Sequence, residues 1–100
     1  MITKLEAQER ITRNGLRIHV IESTKKDITK TVDRVIRDTY TGKRLFFRVV
    51  EATLASCSLE ELVEATEQAA DILRDAGWSV HIPKRKRGYR AKHDVFLEVW

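Results

Sequence analysis

The sequence predicts an α+β fold, a small antiparallel sheet with two helices on one face in the order α-β-β-β-α-β-β. Three observations carry this. Apolar residues between Leu59 and Ala76 recur at three- and four-residue steps, the period of an amphipathic helix. A shorter stretch, "LRIHVIE", alternates apolar and polar residues as a half-buried strand does, and "WSVHI" and "DVFLEVW" near the end read as a strand and its partner. Glycines at Gly15, Gly42 and Gly77 stand where such elements would have to end. One hundred residues with 42% hydrophobic content suffice for one core, so residues 1–100 are expected to form a single domain.

Each element has its own warrant. Thr3 and Glu6 have capping-box spacing, and a first helix is expected over Lys4 to Arg13, closed by Asn14 and Gly15. Leu16 to Glu22 is expected to be a strand, with Leu16, Ile18 and Val20 inward. The segment 28–40 allows two readings. Ile28, Val32, Val35 and Ile36 share a helical face, whereas its density in Thr, Val and Ile favours a sheet. "DTYTGK", with Gly42 at a positive-φ position, suits a hairpin loop. The favoured reading is therefore strands at Thr29 to Arg37 and Arg44 to Thr53, with a helix at 28–40 as the alternative.

Ser58 and Glu61 form a second capping box. The helix they open carries Leu59, Leu62, Val63, Thr66, Ala69, Ala70, Leu73 and Ala76 on one stripe and Glu60, Glu64, Glu67, Asp71 and Asp75 away from it, and Gly77 ends it. Trp78 to Ile82 and Asp94 to Trp100 then pair as strands. Pro83, which has no N–H to give a ladder, belongs at a strand end. The helix, three strands, helix order resembles double-stranded-RNA-binding domains in outline. That family's basic signature opens the last helix, whereas here the basic cluster follows it, so no residue roles carry over.

Charge is distributed unevenly around a net of +4. Residues 1–50 hold twelve Lys or Arg against six Asp or Glu, and residues 51–100 hold seven against nine. Within the second half, Lys84 to Lys92 places six bases in nine residues with no acid. If the last two strands pair, these bases occupy a hairpin loop at 84–93, longer than the usual two to five residues. Lys84, Arg85, Lys86, Arg87, Arg90 and Lys92 suit a row of phosphates, and Tyr89 suits a base or a sugar. The bland reading of the same loop is a solubilising turn, or a loop folded onto the acidic helix. Arg34, Arg37, Lys43, Arg44 and Arg48, with Lys25, Lys26 and Lys30, would widen the footprint if adjacent strands gathered them. Equally, such residues protect exposed strands from aggregation.

The expected function is thus that of a small nucleic-acid-binding protein, for DNA or RNA, that contacts phosphates through this loop, of a size that suits an accessory protein of a phage or other mobile element. The alternative is a protein-binding inhibitor or adaptor using Glu60, Glu64, Glu67, Asp71 and Asp75 or an exposed sheet edge, and the opposed charges also permit a homodimer. No metal, cofactor or enzymatic activity is expected. His19, Cys57, His81 and His93 lack ligand spacing, Cys57 between Ser56 and Ser58 reads as a packing residue, and His81 and His93 read as strand histidines near the loop mouth. Phe46, Phe47, Trp78, Phe96 and Trp100 read as packing, although exposure of Phe46 or Trp100 would mark an interface. A charged start, "MITKLEAQER", the lack of a long apolar run and a lone cysteine lead to the expectation of a cytoplasmic protein without membrane contact.

Overall fold

Burial, rather than intrinsic propensity, decides the first half of the chain. A computed structural model describes residues 3–5, 16–53, 57–83 and 90–100. In it Ile18–Thr39 is one helix, α1, which buries Val20, Ile21, Thr24, Ile28 and Val32. The strands expected at Leu16 to Glu22 and Thr29 to Arg37 do not form. The alternative helix at 28–40 is the correct reading, and it begins ten residues earlier than that alternative supposed. Adjacent Val20 and Ile21 are both buried while Ile18 is exposed, a pattern that a strand of period two cannot produce. Each β-branched residue gives up a few tenths of a kcal/mol in a helix. Complete burial of Ile28 and Val32 returns roughly 1.5 to 3 kcal/mol apiece, so the helix wins. The ion pair Asp33–Arg37 (2.9 Å) lies on its outer side, and Glu22–Lys25 (2.7 Å) lies at the margin of its buried face.

The helix ends where the Tyr40 N–H donates to the Ile36 carbonyl, and the Tyr40 ring meets Trp78 edge-on at 5.1 Å. Gly42 does adopt positive φ, at 85°, but it turns the chain from a helix into a strand rather than around a hairpin. That strand, β1, covers only Leu45–Arg48 of the expected 44–53, because Val49–Ala52 tightens into a 3-10 turn that buries Val49.

The second helix, α2, spans Leu59–Asp75 as its periodicity requires. Ser58 and Glu61 make the predicted capping box: the Glu61 N–H donates to Ser58 Oγ (3.2 Å) and the Ser58 N–H to Glu61 Oε1 (3.0 Å). At the other end Gly77 has φ 98°, its N–H donates to the Arg74 carbonyl and that of Trp78 to the Leu73 carbonyl, which is the Schellman closure. The buried stripe gains Ala65 and Glu61 over the predicted one, and Ala76 is exposed. Of the expected first helix only Lys4 and Leu5 are described, and both are helical; the rest of Lys4 to Arg13 lies outside the described residues.

β2 (Val80–His81) and β3 (Phe96–Val99) pair antiparallel, extended by two backbone hydrogen bonds of 3.0 Å between Ser79 and Trp100. β3 is central, in the order β1-β3-β2, with Leu45 opposite Val99 and Phe47 opposite Leu97. Phe47, Val80, Leu97 and Val99 face the apolar residues of α1 and α2, so both helices cover one face of the sheet. From Ile18 onward the order is helix, strand, helix, strand, strand, which lacks the three consecutive strands between helices on which the outline likeness to double-stranded-RNA-binding domains rested. Within the helix interface the Thr24 hydroxyl is completely buried and has no hydrogen-bond partner among the described residues. Thr24→Val keeps the shape and removes the unpaired group, so chemical denaturation is expected to show a gain of about 1 kcal/mol.

Candidate nucleic-acid interface

The basic connection leaves β2 after His81 and returns to β3 through a second 3-10 turn, Lys92–Asp94. Of its proposed contact residues, Lys84, Arg85, Lys86, Arg87 and Tyr89 lie outside the described residues, whereas Arg90 and Lys92 are described. The returning arm is held by a carboxylate. Asp94, buried although charged, accepts from the backbone N–H groups of Arg90 (3.3 Å) and Ala91 (3.1 Å) through the same oxygen, Oδ2. Two N–H donors turned onto one carboxylate fix the backbone just where the basic segment ends. The Arg90 residue is exposed.

Lys92 is placed differently from the solvated phosphate ligand that its position in the run implies. It is half-buried, and its Nζ donates to the Cys57 carbonyl at 2.8 Å, tying the loop to the entrance of α2. Cys57 itself is buried one residue ahead of the helix cap, so its thiol is not presented to a substrate. His19 and His81 are exposed, as is His93, and among the described residues no three His, Cys, Asp or Glu come together as a metal site.

The second basic set is not gathered into a stripe, since the hairpin that would have aligned it does not exist. Arg34 and Arg37 ride on α1, where with Lys30 they line a groove against the 3-10 turn at Val49–Ala52 together with Asp27, Asp33, Asp38 and Glu51. Mixed signs make that groove a poor polyanion site. Lys25 is half-buried and bonded to Glu22 and Gln68. Arg44 and Arg48, by contrast, emerge on the open face of the sheet. On α2, Glu60, Glu67, Asp71 and Asp75 are exposed and Glu64 half-buried. Asp71 pairs with Arg74 (3.1 Å) and Glu64 accepts from Gln68 (3.1 Å).

The open sheet face is what residue-by-residue reading passed over. Strand alternation puts Phe46, Arg48, Phe96, Glu98 and His81 on the side away from the helices. Phe46 is 58% exposed, and its ring lies 5.0 Å from that of Phe96 at a 35° tilt. The Arg48 guanidinium stands 5.6 Å above the Phe96 ring, and that of Arg44 stands 4.0 Å above Trp100 while also reaching Glu98 at 3.4 Å. The sequence signal was the interleaving of Arg44, Phe46 and Arg48 with inward Leu45 and Phe47, visible once the strand's facing is known. Phe46 and Trp100 are both exposed, the condition under which the sequence marked them as an interface.

Among the described residues no helix is long and apolar enough to cross a membrane. Compared with known proteins, the chain matches no family model, and no curated protein or solved structure matches it significantly.

Proposed function

We propose that this protein binds nucleic acid, chiefly through phosphates, with the basic connection between β2 and β3. The observation that carries the reading is the concentration of charge, six Lys or Arg in nine residues. Support comes from how the connection is mounted. One arm continues from β2, which is paired to β3, and the other is pinned by Asp94 and by Lys92 on Cys57. A cationic segment on fixed stems loses less entropy on engaging a backbone than one on a free tail. Contacts of this kind position a nucleic acid without reading its sequence.

The test is a salt titration of binding to labelled duplex DNA, single-stranded DNA and RNA of random sequence. Affinity is expected to fall with log salt at a slope equivalent to roughly four to six released counterions, at about 0.9 per phosphate on a duplex. Joint replacement of Arg85, Arg87 and Arg90 by Ala is expected to lower that slope by about 2 to 3 and to weaken binding at least about tenfold at low salt. Absence of binding at about 50 mM salt and tens of micromolar protein would overturn the proposal, because nonspecific binders show themselves there. The exposed acids of α2 would then be the surface to present to basic proteins.

A further inference from the structure

We propose that the open face of the sheet is a stacking platform for the bases of a single-stranded nucleic acid, with Phe46 as the ring that takes a base and Arg44 and Arg48 as its flanking cations. This rests on the reading that the protein binds nucleic acid, and it names the substrate class and a second part of the site.

The chemistry on that face is specific. An exposed phenyl ring offers a π-surface to any unpaired base, and stacking of this kind tolerates every sequence. Phe46 is the most exposed ring among the described aromatics there, and the Phe96 ring on the neighbouring strand packs against it at 5.0 Å. The guanidinium groups are already parked over the rings of Trp100 and Phe96. An arginine lying on an aromatic ring keeps several N–H donors free at its rim, which suits phosphate oxygens. Arg48 also touches Glu51 at 3.6 Å, an exposed pair of a kind that contributes little and yields readily to a phosphate.

Placement agrees with chemistry. From Arg44 to Arg48 the strand rises about 13 Å at roughly 3.3 Å per residue, room for two or three bases on a sheet surface. Arg48 lies opposite Phe96, at the end of β3 that the chain enters from Arg90 through the turn Lys92–Asp94, so a backbone leaving the platform there continues toward the exposed Arg90. A second copy of this chain is a poor occupant, because face-to-face pairing would bring Arg44 and Arg48 of each copy onto a face already carrying the same cations. A duplex is a poor occupant too, since its bases are already stacked on one another.

Phe46→Ala, Phe46→Tyr and the triple Arg85, Arg87, Arg90 to Ala variant are compared with the unaltered protein on a short single-stranded oligonucleotide, the matching duplex and polyglutamate. Circular dichroism confirms that each folds. Phe46→Ala is expected to weaken single-strand binding by about 5- to 100-fold, with the salt slope and duplex binding unchanged. Phe46→Tyr, which keeps the ring, is expected to stay within about threefold of the unaltered protein. The triple variant is expected to lose salt slope on both nucleic acids. If single strands bind and Phe46→Ala binds them equally well, the platform is wrong while the basic connection stands. The platform is equally wrong if the duplex binds more tightly than the single strand, or if polyglutamate displaces the oligonucleotide charge for charge. If neither nucleic acid binds, both readings fail together.

Discussion

Glu61→Gln is expected to lower stability at pH 7 by about 2 kcal/mol, and with it Tm by about 10 °C, the largest loss from any single polar substitution on α2. The Glu61 carboxylate is 3% exposed and accepts four hydrogen bonds. Oε2 takes the Arg17 backbone N–H (2.8 Å) and Nε (3.0 Å), while Oε1 takes Arg17 Nη2 (2.8 Å) and the Ser58 N–H (3.0 Å). Whichever way a glutamine amide turned, its NH2 would meet two of those donors. Arg17 above all, against the opposing effect of burial and with help from the Ser58 and Arg17 backbone N–H groups, holds the Glu61 pKa down to about 2 from an ordinary 4.5. Taken whole, that displacement corresponds to about 3 kcal/mol. Arg17 is 50% exposed, however, so water screens the pair from one side and about 2 kcal/mol is the better figure.

The pH dependence has a definite sign. A carboxyl whose folded pKa is depressed adds stability that is present in full above the unfolded pKa and vanishes as pH falls through the folded one. Glu61 therefore stabilises the fold above about pH 4.5 and loses its contribution between there and about pH 2. Urea denaturation across that window is expected to show a steeper acid loss in the unaltered protein than in Glu61→Gln. Parallel curves would remove Glu61 as the cause.

Asp94→Ala is expected to cost a further comparable amount, about 2 kcal/mol, and to be felt at the basic connection. Removal of the buried carboxylate leaves the N–H groups of Arg90 and Ala91 without the partner that turns them back toward β3. Asp94→Asn, which keeps the shape of the side chain and one accepting oxygen, is expected to lose less than Asp94→Ala. Hydrogen exchange at Arg90 and Ala91 separates the cases. Faster exchange in Asp94→Ala than in Asp94→Asn is the expected outcome, and equal rates would mean that the turn is held by backbone contacts alone.

The second half of the chain was legible because its signals are local. Ser58 and Glu61, three residues apart, satisfy each other's backbone within one helical turn, and Gly77 closes the same helix with a conformation that glycine adopts freely. The pairing of Trp78 to Ile82 with Asp94 to Trp100 needed only alternation and Pro83 at the boundary, and it survives as β2 and β3. Between Leu16 and Thr39 local rules conflict. The density of Thr, Val and Ile argues for strand, and the helical spacing of Ile28, Val32 and Ile36 argues against it, with nothing nearby to arbitrate. The arbiter is α2, whose buried stripe forms one core with Val20, Ile21, Ile28 and Val32.

The sequence by itself determined the α+β class, the second helix with both of its caps, the terminal strand pair and the charged connection between its strands. The caps and the charged run depend on residues within a few positions of each other, and the strand pair joins two segments that are neighbours in the chain. Only the tertiary structure decided that 18–39 is a helix, that Glu61 holds Arg17 as well as closing its own capping box, that Lys92 turns back onto Cys57, and that Arg44, Phe46 and Arg48 share the open side of the sheet with Phe96 and Trp100. Each of those outcomes joins residues tens of positions apart, and it is set by which face of each element becomes buried, a choice that local propensity does not make.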